Sequence, residues 1–242
     1  MELIPDLWSL LAVFLITLCG TLVQGTIGYG LGPLSVPLLV LIDPGFIPGP
    51  LLLSALVLTG LMAYRDQHSI NLKGVAWAVP GRILGSIGGA FLLGIIPGEK
   101  MGILFGGMVI LAILLSLSGI RLRLTGGNIL LAGILSGIMG TTSAIGGAPM
   151  ALVYQRQEGP EIRGTLSVIF VFGTIISLTA LAVIGRFGLP EIKHSVVLLP
   201  GVLSGYLLSG PLTRIMNKDF IRPLILGVAA LAGAIVILKS IH

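Results

Sequence analysis

Long uncharged apolar runs alternate along the chain with short polar connections. The runs at 46–64, 101–120, 164–185, 195–212 and 223–238 carry no charge at all. Most approach the ~20 residues that cross ~30 Å of hydrocarbon. Six stretches therefore predict simple spans: 46–64, 74–96, 101–120, 164–185, 195–212 and 220–238. Two longer stretches, 7–42 and 127–154, are apolar too, but each is interrupted midway. The longest charged connections are about ten residues, which predicts one membrane domain and no separate soluble one.

The interruptions are of one kind. The first reads Gln24-Gly25-Thr26-Ile27-Gly28-Tyr29-Gly30-Leu31-Gly32-Pro33, and the second runs from Gly137 through Gly140-Thr141-Thr142-Ser143-Ala144-Ile145-Gly146-Gly147-Ala148-Pro149. A glycine cluster ending in proline breaks a helix and frees backbone N–H and C=O groups. In hydrocarbon such groups must be buried in protein or bound by something. A matched pair of breaks, one per half, is the sequence pointer to a transporter's binding site.

Loop charges decide how the two broken stretches are threaded. If each crosses once, Lys and Arg divide seven to six between the two sides. If each enters and returns as a hairpin, one side collects nine (Arg65, Lys73, Arg121, Arg123, Arg156, Arg163, Arg214, Lys218, Arg222) and the other four. That asymmetry is the positive-inside pattern of short cytoplasmic loops. Hairpins are expected, with both termini outside. Each half is then a hairpin plus three spans, an odd number of crossings, so the second half is inverted relative to the first. The expected fold is all-α and polytopic, with residues 1–120 as the first repeat and 121–242 as the second. Pro80-Gly81-Arg82-Ile83-Leu84-Gly85 echoes Pro200-Gly201-Val202-Leu203-Ser204-Gly205 at an offset of 120, against 116 for Pro33 and Pro149.

The breaks also hold the candidate chemistry. Pro33 and Pro149 suit the first turn of a half-helix, where a missing N–H costs nothing. Helices starting near Leu34 and Met150 would aim N–H groups and partial positive charge at the segments before them. Gly28, Tyr29 and Gly30 lie in one such segment, Gly146 and Gly147 in the other. Thr26, Thr142 and Ser143 add hydroxyls and Gln24 an amide, a set that suits an anion with several oxygens. Tight helix packing through small residues is the competing reading, and it is the preferred one for scattered glycines such as Gly102, Gly106 and Gly107. Arg82 lies ~12 Å into the span 74–96 at helical rise. A charge at such depth is a functional hypothesis. It pairs with an anionic substrate, or else it snorkels or caps carbonyls of a neighbouring hairpin. Arg163 is expected to be a positive-inside anchor.

Composition narrows the classes. Apolar residues make up 55% of the chain, charged residues 10%, and mean hydropathy is +1.09. The net charge of +5 is spread singly over loops, unlike a nucleic-acid footprint. The first eight residues carry Glu2 and Asp6 and no basic residue, so no cleaved signal peptide is expected. Cys19 is the only cysteine, which excludes an intrachain disulfide. No Asp or Glu falls inside an expected span, and His68, His194 and His242 fall in loops or at the terminus. Nucleophile, P-loop and metal motifs are absent from the sequence. Neither enzyme activity, a cofactor nor a metal is expected.

The paired motifs, Gly28-Tyr29-Gly30-Leu31-Gly32-Pro33 and Gly137 to Pro149, together with length and span order, resemble the TauE/SafE sulfite and organosulfonate exporter family. Thr141-Thr142-Ser143-Ala144 lengthens the second motif relative to the family's usual pattern. The resemblance implies a multi-pass protein of a bacterial or archaeal inner membrane that moves sulfite or a small organosulfonate, often outward. The expectation is a carrier using alternating access around the two hairpin tips. An anion channel and a non-transporting scaffold are the alternatives.

Overall fold

A computed structural model of the protein describes residues 6–120, 122–157, 159–213 and 218–241, the side chains of 218–225 and 241 excepted. Those residues form ten α-helices and no strand: α1 (Leu7–Ile27), α2 (Leu31–Ile42), α3 (Gly49–Arg65), α4 (Leu72–Ile95), α5 (Met101–Leu117), α6 (Gly126–Ser143), α7 (Gly147–Tyr154), α8 (Gly159–Val183), α9 (Leu189–Leu212) and α10 (Lys218–Ile241). Five are long and apolar enough to cross a membrane: α1, α4, α5 with its preceding turn, α8 and α9. Bulky apolar side chains such as Leu84, Phe91, Leu114 and Leu207 face outward. Such a surface suits hydrocarbon as its solvent.

Each expected span has its helix, but α8 and α9 begin five and six residues ahead of the apolar run. Polar first turns explain the difference. Pro160 and Pro190 sit near the helix starts, and Glu191 accepts a hydrogen bond from Gly188 N at 2.7 Å. Hydropathy locates the part of a helix in hydrocarbon, whereas caps set where it begins. Elsewhere Asp6, Asn71 and Thr125 cap α1, α4 and α6 through their side-chain oxygens.

Close backbone approaches establish the helix directions. Gly81, Gly85 and Gly89 of α4 press in turn on the backbone near Gly133, Gly137 and Ile138 of α6, so these helices run parallel. Gly201 and Gly205 of α9 press on α1 near Thr17 and Thr21, and Gly25 meets Ser209; these two are parallel as well. Ser54 donates to Ser195 O, and Tyr206 to Leu61 O, which sets α3 parallel to α9. Arg82 beside Gly173 and Ser86 beside Ser177 set α4 parallel to α8. By contrast, α3 and α8 are antiparallel, because Gly49 meets Phe187 while Asp66 meets Arg163.

Two consequences follow from these directions. Helices α1 and α6 run in opposite senses. Because α1 and α3 point the same way, α2 must carry the chain back between them; α7 does the same between α6 and α8. Both interrupted stretches are hairpins. Their arms are unequal, 21 and 12 residues in one and 18 and 8 in the other. The expected arms of about eighteen and about fourteen residues assumed even division, and the breaks fall nearer the second arm.

One end of the bundle is pinned by charge. Asp66, after α3, accepts from Arg163 Nη2 at 3.0 Å and Nε at 3.2 Å, and from Arg65 Nε at 3.3 Å. Arg65 also donates to Ser209 Oγ (2.9 Å) and Gly25 O (2.7 Å). The cluster ties α1, α3, α8 and α9 together. Arg163, expected as a positive-inside anchor, is a largely covered ion-pair partner of Asp66.

Candidate anion site between the helix breaks

Each break is formed by backbone geometry its residues dictate. At the first, α1 ends on Gly28 at φ +103°, whose N–H returns to Gln24 O at 2.7 Å. Gly30 follows at φ +144°, where a Cβ would also strike Val23. Only glycine adopts such angles freely. At the second, α6 ends on Ala144 in the left-handed region, with N–H bonds from Ala144 to Gly140 O (2.8 Å) and from Ile145 to Met139 O (3.3 Å). The Ala144 bond is that of an αL-type stop, here with alanine at the position glycine usually fills. Helices α2 and α7 start at Leu31 and Gly147, three residues ahead of the expected Leu34 and Met150. Pro33 and Pro149 are therefore third in their helices. They remain in the first turn, where an N–H has no intrahelical partner.

The two breaks abut. A Cβ on Gly32 would strike Ala144 O, and one on Gly147 would lie 2.9 Å from Tyr29 Cβ. Beside this junction is a cavity of about 40 Å³. Its walls include Gln24, Gly30 and Gly32 from the first hairpin and Gly140, Gly146 and Gly147 from the second, with Thr59, Arg82, Phe170 and Thr174 from the spans.

Arg82 is 2% exposed, so it does not snorkel. Its Nη1 donates to Ser136 O (2.7 Å) and Ser136 Oγ (2.9 Å), and its guanidinium lies 5.9 Å from the Phe170 ring centroid. Its Nε has no hydrogen-bond partner, and no carboxylate pairs with it among the described residues. Glycines make room for it: a Cβ on Gly173 would strike Nε and Nη2, and one on Gly146 would lie 2.6 Å from Nη1.

The expected site residues divide. Gln24, Gly30, Arg82, Gly146 and Gly147 line the cavity. Gln24 also caps α2 by accepting from Leu31 N at 3.1 Å. The expected hydroxyls turn away. Thr26 bonds back to Leu22 O and Val23 O, Thr142 to Ile138 O, and Ser143 to Met139 O, all on their own helices. Gly28 packs against Ile162 and Arg163, and Tyr29 lines a second, apolar cavity with Val23, Pro33 and Ile113. Two hydroxyls not singled out from the sequence, Thr59 and Thr174, do line the first cavity. Thr59 bonds to Ala55 O at 2.8 Å, while the Thr174 hydroxyl bonds to no described residue. The signal for them was present: they lie 115 positions apart, within one residue of the offset between the two hairpin prolines.

Discontinuous helices meeting at a cavity inside a polytopic helical bundle are the architecture of membrane transport proteins. The chain belongs to the sulfite exporter TauE/SafE family, whose description it matches over residues 13–236. No curated protein and no solved structure matches it.

Proposed function

We propose that this protein carries a small sulfur-containing oxyanion, with sulfite the leading candidate, outward across a prokaryotic inner membrane. The observation that carries the reading is Arg82. It is a buried guanidinium lining a cavity between two helix breaks, with Nε unpartnered and no counter-ion among the described residues. Leaving a charge unpaired in such a place is strongly unfavourable, and an anion from outside supplies what the protein withholds. The start of α7 presents further N–H groups there, and Thr174 an uncommitted hydroxyl. At about 40 Å³ the cavity holds roughly three waters. That room favours a four-atom oxyanion over a ring-bearing sulfonate.

Alternating access is the mechanism we favour, with α1–α5 and α6–α10 as inverted repeats. Supporting this, the parallel pair α1/α9 has its counterpart in α6/α4, and α3/α9 in α8/α4. Loop charge favours the Arg65–Asp66–Arg163 end in the cytoplasm and both termini outside.

Counterflow in proteoliposomes tests the reading. Sulfite exchange should saturate with concentration, and Arg82→Ala should abolish it while the purified variant remains monodisperse. Electrical conductance far above carrier turnover would point to a channel. Undiminished exchange by the variant would remove Arg82 from the site.

A further inference from the structure

Arg82 does not stand alone in the cavity wall. Both hydrogen bonds made by Nη1 go to one residue, Ser136 of α6, through its carbonyl at 2.7 Å and its hydroxyl at 2.9 Å. That hydroxyl donates in turn to Gly146 O at 2.5 Å, ten residues along and on the other side of the break. A serine hydroxyl has a single proton. Once it is given to Gly146, only lone pairs are left to face Arg82, so the chain Arg82 to Ser136 to Gly146 has one direction. Ser136 is wholly buried, and Gly146 precedes the first residue of α7 and lines the cavity.

We propose that Ser136 is a positioning residue for the anion site, orienting Arg82 and tying it to the second helix break. The inference rests on the reading of Arg82 as the anion's partner. With Nη1 held, the N–H groups left over are those of Nε and Nη2. They form the edge of a guanidinium that takes two oxygens of one oxyanion in parallel. Gly173 packs against that edge, where only a residue without a Cβ fits, since a Cβ there would strike both nitrogens. Without the Ser136 hydroxyl, the guanidinium keeps its charge but loses half of what aims it. The same hydroxyl closes α6 onto the residue that opens α7. A pull on Arg82 by a bound anion is thereby passed to the hairpin that carries the break.

The experiment measures sulfite affinity by calorimetry on the purified full chain for Ser136→Ala, Ser136→Cys and Ser136→Thr beside Arg82→Ala. A hydrogen bond to a charged group carries about tenfold or more in an equilibrium constant. Ser136→Ala should therefore bind sulfite about tenfold more weakly, and the size-conserving Ser136→Cys should lie between it and the parent. Ser136→Thr, which keeps the hydroxyl, should recover affinity to within about threefold of the parent. A residue that merely fills space would not separate threonine from alanine in that order. Parent-like affinity in both the alanine and the cysteine variants would overturn the proposal, as would a threonine variant weakened as much as alanine. Should Arg82→Ala bind sulfite normally, the anion-site reading itself fails. Loss in Arg82→Ala with no loss in the Ser136 variants removes only the role given to Ser136.

Discussion

Thr142 and Thr174 are both buried threonines in membrane helices, yet their hydroxyls differ in occupation. Thr142 returns its proton to Ile138 O at 2.8 Å, and Thr174 leaves its own uncommitted beside the cavity. Replacing Thr174 by valine removes a hydroxyl that bonds to no described residue, so the melting temperature without anion should stay within about a degree or rise. Sulfite affinity should fall about three- to tenfold, the range for a neutral hydrogen bond. Thr142→Val should leave affinity unchanged, and titration calorimetry on both variants checks the contrast. This difference was not legible in the sequence. The motif places Thr26, Thr142 and Ser143 next to the breaks, but in an apolar helix the nearest acceptor for a hydroxyl is the carbonyl one turn back. Arg82 was legible, because a charge deep in an apolar span has few roles. Its partner Ser136 was not, since serine near glycine also reads as ordinary small-residue packing.

The broken helices depend on backbone angles more than on side-chain contacts. Gly30 at φ +144° precedes the start of α2 and Ala144 at φ 60° ends α6, and they make opposite predictions. Gly30→Ala adds strain of about 1–3 kcal/mol together with a clash against Val23. Ala144→Gly relieves the left-handed penalty and should gain up to about 1 kcal/mol. Melting in detergent should move down for the first variant and up for the second. Proline and glycine made both breaks visible in the sequence, and the helices at the six expected spans were visible as apolar runs. The unequal arms were not, because proline tolerates any position in a first turn and so fixes a helix start only to within three residues. Nor did charge counting foresee that Arg163 is held by Asp66. It sorts residues by side of the membrane and is blind to which loops meet.

Taken whole, the molecule is two sets of parallel helices laid antiparallel to each other. Helices α1, α3 and α9 point one way and α4, α6 and α8 the other, so the hairpins enter from opposite ends and their tips touch at Gly32 and Ala144. Nine basic residues against four are the sequence's case for inverted threading, because loop charge reports the parity of crossings. That the tips would share a site was expected from the paired breaks; that they touch at Gly32 and Ala144 was not readable, since nothing local to either motif encodes the other. The touching tips and the unpaired cation beside them make one claim together, that this junction holds an oxyanion. An experimental map of the purified protein, determined with and without saturating sulfite, tests it most directly. The account predicts added density within hydrogen-bond distance of Arg82 and Thr174, beside the start of α7, present only with sulfite. A junction empty at saturation, or sulfite bound elsewhere in the bundle with Arg82 still unpaired, would contradict it.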